Sequence, residues 1–303
     1  MRSFEFFTTD VFTSEKFGGN QFAVFPDAAE LDPEQMPRIA REFNFSETTF
    51  VLPPTNPKHT RRVRIFTPGS ELAFAGHPTV GTAFVLASIG QLKLSGDETH
   101  IVLEEGVGPV PVTIRKRNGK PDFAQLTVAQ LPEFGPPPPD ASDLARALGL
   151  ASGDVLTGEV APEAVSCGTR FLLVPVRDRK TLARARVRLD EFERVLGNYA
   201  TSMVFVFCKD PERPESDYRA RMFAPTVGVT EDPATGSAAV GFAGYLAKRD
   251  KRTDGTLRWT VEQGFEMGRP SLLYIEADKR AGAITSARVG GHSVLVSKGE
   301  FYI

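Results

Sequence analysis

The sequence predicts an α+β protein of two equivalent domains, each a curved mixed β-sheet wrapped around one central buried helix. Three observations lead there. First, the run Gly76-His77-Pro78-Thr79-Val80-Gly81-Thr82-Ala83-Phe84-Val85-Leu86-Ala87 returns 160 residues later as Gly236-Ser237-Ala238-Ala239-Val240-Gly241-Phe242-Ala243-Gly244-Tyr245-Leu246-Ala247. Second, each copy follows the same entry phrase, Arg62-Val63-Arg64-Ile65-Phe66-Thr67-Pro68 and Arg219-Ala220-Arg221-Met222-Phe223-Ala224-Pro225. Third, Pro78 to Ala87 and Ala238 to Ala247 contain no Asp, Glu, Lys or Arg. A helix that is apolar all round is buried all round.

The other elements recur in the same order. Gly19 to Pro26 aligns without gaps with Gly168 to Pro175, each a glycine turn feeding a strand that a proline stops. A helix follows in each half: Asp32-Pro33-Glu34 starts one with Ile39, Ala40 and Phe43 on one face, and Asp190-Glu191 starts one with Phe192, Val195 and Leu196. Next come strands at Thr48 to Leu52 and Met203 to Phe207, then the arginine-bearing strand, a loop and the repeated helix, with further strands at Ile101 to Leu103 and Ser271 to Ile275. Gly135 and four prolines form a stiff connector, followed by a short helix from Asp140 to Gly149. The first domain is therefore placed at residues 1–130 and the second at 131–290. Two last strands, Ser293 to Val296 and Glu300 to Ile303, are open to either domain; as a C-terminal strand near 290–303 they would complete the first.

Length and composition narrow the function. At 303 residues the chain is long enough for two domains with ample cores. With 36 Lys plus Arg against 38 Asp plus Glu, the balance argues against nucleic acid or an acidic membrane surface as partner. The start lacks a signal-peptide core and no stretch is apolar enough to span a bilayer, so a soluble cytoplasmic protein is expected. Cys167 and Cys208 are too few for a disulfide framework and read as buried apolar residues. Gly18-Gly19-Asn20 leads into a strand, so no nucleotide-binding loop is present. His59, His77, His100 and His292 lack ligand spacing, and neither metal nor cofactor is expected.

Candidate chemistry gathers at the helix starts. With Pro78 at the first helical position, His77 falls at the N-cap and Ser237 at the aligned place. Gly76 and Gly236 permit the tight backbone that exposes the N–H groups behind them. Two such starts could hold one small carboxylate or an enolate, or they could simply be well-capped core helices. The loop before the second helix is three residues longer, ten against seven, and the addition brings Glu231-Asp232-Pro233. Asp232 reads as an acid, an acceptor for a substrate amine or a partner for His77, or alternatively as an Asx-turn before proline. Glu47 stands where the other half has Ser202. It reads either as a partly desolvated base or as a solvated strand-edge glutamate.

Taken together, Ser46-Glu47-Thr48-Thr49-Phe50, Arg64-Ile65-Phe66-Thr67-Pro68, Glu71-Leu72, Phe74-Ala75-Gly76-His77-Pro78-Thr79, Glu231-Asp232-Pro233-Ala234-Thr235-Gly236-Ser237-Ala238 and Gly264 with Met267-Gly268-Arg269-Pro270-Ser271 resemble the motifs of the PhzF (phenazine biosynthesis) family of isomerases. The resemblance runs over essentially the whole chain. It implies a diaminopimelate epimerase-like fold with the active site between two pseudo-symmetric domains, a homodimer, and a cofactor-independent proton shift in a small amino or carboxylic acid. Glu47 takes the place of the catalytic glutamate, His77 and Asp232 assist, and Ser46, Gly76, Gly236 and Ser237 line the substrate pocket. A dihydro-3-hydroxyanthranilate-type substrate follows from the same resemblance. Related racemases use a cysteine at each helix start; neither turn here has one, which disfavours a two-thiol mechanism. A non-catalytic binding protein on the same fold and an amino-acid racemase remain the alternative readings. Gln21 and Ala73 depart from prolines common in the family.

Overall fold

The computed structural model describes residues 2–303. The chain divides into two compact units, one running to Ala129 and taking in Val289–Ile303, the other spanning Gln130–Arg288.

In the first unit, β1 (Ser3–Val11) pairs antiparallel with β2 (Asn20–Phe25), and α1 (Met36–Phe43) leads to β3 (Glu47–Leu52), which lies parallel to β2. The return strand β4 (Arg61–Phe66) is antiparallel to β3 and carries the short β5 (Glu71–Leu72) beside it. Then comes α2 (Gly76–Ser88), followed by β6 (Glu98–Glu105) parallel to β4, and by β7 (Gly108–Arg117) and β8 (Lys120–Thr127) as an antiparallel meander.

The second unit opens with β9 (Glu133–Phe134), α3 (Ala141–Ala147), β10 (Glu163–Ser166) and β11 (Arg170–Pro175). Helices α4 (Arg179–Arg184) and α5 (Leu189–Leu196) precede β12 (Val204–Cys208), which is parallel to β11. Antiparallel β13 (Tyr218–Ala224) carries β14 (Val229–Asp232), and α6 (Gly236–Arg249) leads to β15 (Gly255–Gln263), parallel to β13, then β16 (Ser271–Arg280). The pairings β11 to β16 thus repeat those of β2 to β7 in kind and order.

The last element is one strand, β17 (Ala283–Tyr302), where the sequence pattern suggests two short ones. Gly290 and Gly299 interrupt the pattern because a side chain there would collide: a Cβ on Gly290 would lie 2.7 Å from the Ala124 carbonyl, one on Gly299 2.7 Å from the Phe6 ring. Its C-terminal part pairs with both β8 and β1, closing the first unit's strands into a ring.

Helix α2 packs against β1, β2, β3, β7 and β8, and every residue from Gly76 to Ala87 is buried. Its lack of charge is thereby explained. Helix α6 likewise packs against β10, β11, β15 and β16. The outer faces are covered too: α1 lays Met36, Ile39 and Ala40 on Phe25, Phe50 and Phe66, while Leu144, Leu148, Leu182, Phe192 and Leu196 cover Val204 and Val206. Strands covered on both faces read as unbroken apolar runs, as Val204-Phe205-Val206-Phe207-Cys208 does. α1 starts at Met36, later than Asp32-Pro33-Glu34 suggests. Asp32 instead accepts the Glu34 N–H on its side chain and the Gln35 N–H on its carbonyl, and the turn this makes precedes the helix.

The two arginine motifs are structural. Arg64 grips Glu71 through two hydrogen bonds of 2.7 and 2.8 Å, and Arg221 grips Glu231 at the same two distances. Each fork clips β5 or β14 to the strand before it, fixing the chain five residues ahead of a helix start. The equivalence corrects the loop reading. Ile65 pairs with Leu72 as Met222 pairs with Asp232, so Glu231 matches Glu71 and Asp232 stands where the first unit has Leu72. The longer loop takes up its extra residues in the 3-10 turn Pro225–Val227 and Gly228, whose φ of 87° favours glycine.

Candidate active site

The parallel pairing of β2 and β3 sets Phe22 opposite Glu47, so the first residues of both strands lie near the start of α2. Asn20, fully buried, links them. The Ser46 hydroxyl donates to Asn20 Oδ1 at 3.1 Å, and the Asn20 amide nitrogen lies 3.2 Å from His77 Nδ1. Because Oδ1 is engaged by the hydroxyl, the amide presents its N–H to the ring and Nδ1 accepts. The network therefore places the imidazole proton on Nε2. That nitrogen lies 3.3 Å from Glu47 Oε2.

Burial sets the charge state. His77 is 3 % exposed, and loss of solvation pushes its pKa down to about 3. The ring is neutral at pH 7 and brings no positive charge to Glu47; at 3.3 Å its Nε2 lies beside Glu47 Oε2 without forming a hydrogen bond to it. Phe22 meets it edge-on, with ring centroids 5.9 Å apart. The Glu47 side chain retains 16 % of its exposure, so it is largely shielded, with Oε2 itself buried.

Both helix starts fall two residues earlier than proline placement suggests. Ala75 is the N-cap, in extended conformation, and Gly76, His77 and Pro78 are the first three helical residues; Thr235 caps α6 ahead of Gly236 and Ser237. The first intrahelical bonds run from Thr79 N–H to the Ala75 carbonyl and from Ala239 N–H to that of Thr235. Pro78 is tolerated at the third position because N–H groups of the first turn have no helical acceptor. His77 and Ser237 therefore project from within the first turn.

In the second unit the polar cluster is built around a turn. Asp232 ends β14 and accepts the Thr235 hydroxyl at 2.6 Å, while fully buried Gln263 donates to the Asp232 carbonyl at 2.8 Å and accepts the Thr235 N–H at 3.0 Å. Gly264 follows with φ of 78°; a Cβ there would meet the Pro233 carbonyl at 2.5 Å and that of Arg269 at 2.4 Å. The Ser271 hydroxyl reaches the same two carbonyls, each at 3.0 Å. The Gly264 to Ser271 motif thus braces the turn from Asp232 to Gly236.

The structure brings Ser46, Glu47 and His77 together within the first unit, with Gly76 next to His77, and sets Asp232, Gly236 and Ser237 along one turn of the second. Sequence reasoning passes over Asn20, Thr235 and Gln263, which organise these groups. Asn20 carries one signal, a polar residue opening an apolar strand after a glycine pair. Gln263 carries none. Cys167 and Cys208 are buried thiols whose pKa values burial raises to about 12, so they remain protonated. Among the described residues, no helix is long and apolar enough to cross a membrane.

Residues 9–299 match the PhzC-PhzF family model, described as phenazine biosynthesis-like protein. An uncharacterized isomerase of Mesorhizobium japonicum is 41 % identical, over 100 % of both chains. The trans-2,3-dihydro-3-hydroxyanthranilate isomerase of Pseudomonas fluorescens is 36 % identical over 97 % of this chain and 98 % of its own. Among solved structures, a Bacillus anthracis phenazine biosynthesis protein of the PhzF family superimposes with a TM-score of 0.90 at 28 % identity, covering 100 % of both chains. With family model, full-length relatives and fold in agreement, the chain belongs to the PhzC-PhzF family of phenazine biosynthesis-like proteins and is an isomerase.

Proposed function

We propose that this isomerase shifts a proton within a small amino or carboxylic acid, without a cofactor, using Glu47 as its single base. The observation that carries the reading is the placement of Glu47 at 3.3 Å from a neutral imidazole whose other nitrogen is held by Asn20. Glu47 takes a proton from carbon, holds it as a carboxylic acid and returns it to another carbon of the conjugated system, so the substrate gains and loses one proton. His77 lies beside the carboxylate, its Nε2 3.3 Å from Glu47 Oε2. Being neutral, it leaves Glu47 more basic than an imidazolium neighbour would.

The first turn of α2 behind Gly76, and that of α6 behind Gly236, each carry N–H groups without helical acceptors, suited to a carboxylate or a delocalised anion. Ser46, Asp232 and Ser237 are assigned to substrate binding. The matching strand pairings support reading the two units as pseudo-symmetric diaminopimelate epimerase-like repeats around α2 and α6. The substrate named in the relatives, trans-2,3-dihydro-3-hydroxyanthranilate, has the required amino acid and conjugated ring, and it heads the panel to be tested. Solvent deuterium incorporation into such acids should fall by roughly 10²- to 10⁴-fold in Glu47→Gln. Undiminished exchange would remove Glu47 as the base.

A further inference from the structure

The two units treat one matched arginine differently. Arg62 pairs with Glu104 across β4 and β6 in the register that sets Arg219 against Glu262 across β13 and β15. In the second unit Arg219 is saturated. It donates to Glu266 Oε1 at 2.9 and 3.2 Å, to Glu262 at 3.3 Å and to Glu212 at 3.4 Å, and it lies 4.1 Å over the Phe265 ring. Glu266 and Phe265 belong to the 3-10 turn Phe265–Met267 between β15 and β16.

The first unit lacks that turn. Only Gly106 and Val107 join β6 to β7, and they pack on Ala73, the Gly106 Cβ position lying 2.8 Å from the Ala73 Cα. The Arg62 side chain is left with no hydrogen bond or close ion pair among the described residues, and its Nε is buried without an acceptor. It lines a groove of about 580 Å³ with His59, Arg64, Glu71, Glu104 and Glu105.

The carboxylates of this groove are already committed. Glu71 is held by Arg64, and Arg62 attracts it only from beyond ion-pair distance. Glu104 accepts from the Thr55 hydroxyl and N–H, the Asn56 N–H and the His59 ring at 2.7 to 2.9 Å, and these donors, Thr55 foremost, hold its pKa at about 2. Glu105 is 8 % exposed; its Oε1 accepts the Thr79 hydroxyl at 2.6 Å, while Oε2 is buried with no partner. Burial raises its pKa to about 8, so at neutral pH it is a carboxylic acid and a potential donor.

We infer that the Arg62 groove is a binding site for a carboxylate, which takes the place that Glu266 fills in the second unit, with Arg62 as its cation and Glu105 lining the same groove. Arginine prefers such a partner because its planar fork matches the two carboxylate oxygens. The inference is independent of the role of Glu47.

The carboxylate could be a free small acid or a side chain of a second copy of this chain, and one experiment separates them. The probe is sodium malonate, titrated into full-length protein labelled with ¹⁵N-arginine, with sodium chloride at matched ionic strength as control. The Arg62 Nε–H resonance, assigned by its loss in Arg62→Lys, should shift saturably with malonate and stay still with chloride, in wild type and in Glu47→Gln alike. Sedimentation velocity of wild type and Arg62→Gln forms the second arm. Unchanged mass with a malonate shift identifies a free acid, whereas dissociation of an oligomer in Arg62→Gln identifies a second copy, and either supports the site. A resonance indifferent to malonate, with no change of mass, overturns it.

Discussion

Gly81 and Gly241 are the same letter of the repeat, yet their surroundings predict opposite responses to alanine. A Cβ on Gly81 would lie 2.3 Å from Phe22 Cε1 and 2.6 Å from Val11 Cγ2, well inside van der Waals contact. Both neighbours are fully buried, so neither can yield without moving β1 and β2. Overpacking of this kind costs about 1–3 kcal/mol, sometimes more, against about 1 kcal/mol gained in helix propensity. A Cβ on Gly241 would meet only Val165, at 3.7 Å, an ordinary contact. There the propensity gain stands alone. Gly81→Ala is therefore expected to lose up to about 2 kcal/mol, and Gly241→Ala to be neutral or more stable by up to about 1 kcal/mol. Urea unfolding followed by far-ultraviolet circular dichroism measures both. Gly81→Ala should also impair isomerisation, because Phe22 packs edge-on against His77 and shares β2 with Asn20. Equal stabilities for the two variants would refute the packing argument.

Other outcomes follow from the site. Asn20→Ala removes the donor to His77 Nδ1; an unpaired buried acceptor costs about 1–3 kcal/mol, which as activation energy is roughly a tenfold to hundredfold loss of kcat. An unchanged kcat would reduce Asn20 to scaffold. The folded pKa of His77, about 3, is below its ordinary 6.5, so its neutral form contributes stability that is complete above pH 6.5 and lost as pH falls toward 3. Wild type should lose stability over that range more steeply than His77→Gln, by up to about 1.4 kcal/mol per pH unit in acid titrations followed by urea unfolding. Glu105 has the opposite sign: its folded pKa of about 8 exceeds the ordinary 4.5, so its contribution is complete below pH 4.5 and lost as pH rises toward 8. Glu105→Gln should accordingly gain on wild type between pH 5 and 8. Parallel pH profiles would show that Glu105 does not carry a buried proton.

Much of the fold was legible because the chain states it twice. Charge-free helices, proline-stopped strands and repeated arginine phrases each follow from a local rule of burial or backbone geometry, and those rules hold whatever the neighbours are. Candidate site residues stand out in the sequence where the halves differ, at Glu47, His77, Asp232 and Ser237. The alignment of loops does not. Counting residues puts the insertion at Glu231 to Pro233, whereas ladder register and the paired arginine forks put it in the 3-10 turn before them.

The sequence by itself determined the α+β character and the two buried helices, since composition and periodicity act along the chain, while the family came from the resemblance of its motifs. Tertiary structure alone decided which polar groups meet. Asn20, Ser46 and His77 lie up to 57 residues apart, and their hydrogen bonds arise only when β2, β3 and α2 pack. The same holds for Arg62 and Arg219. Their identical letters acquire different partners because one turn is long enough to supply a carboxylate and the other is not.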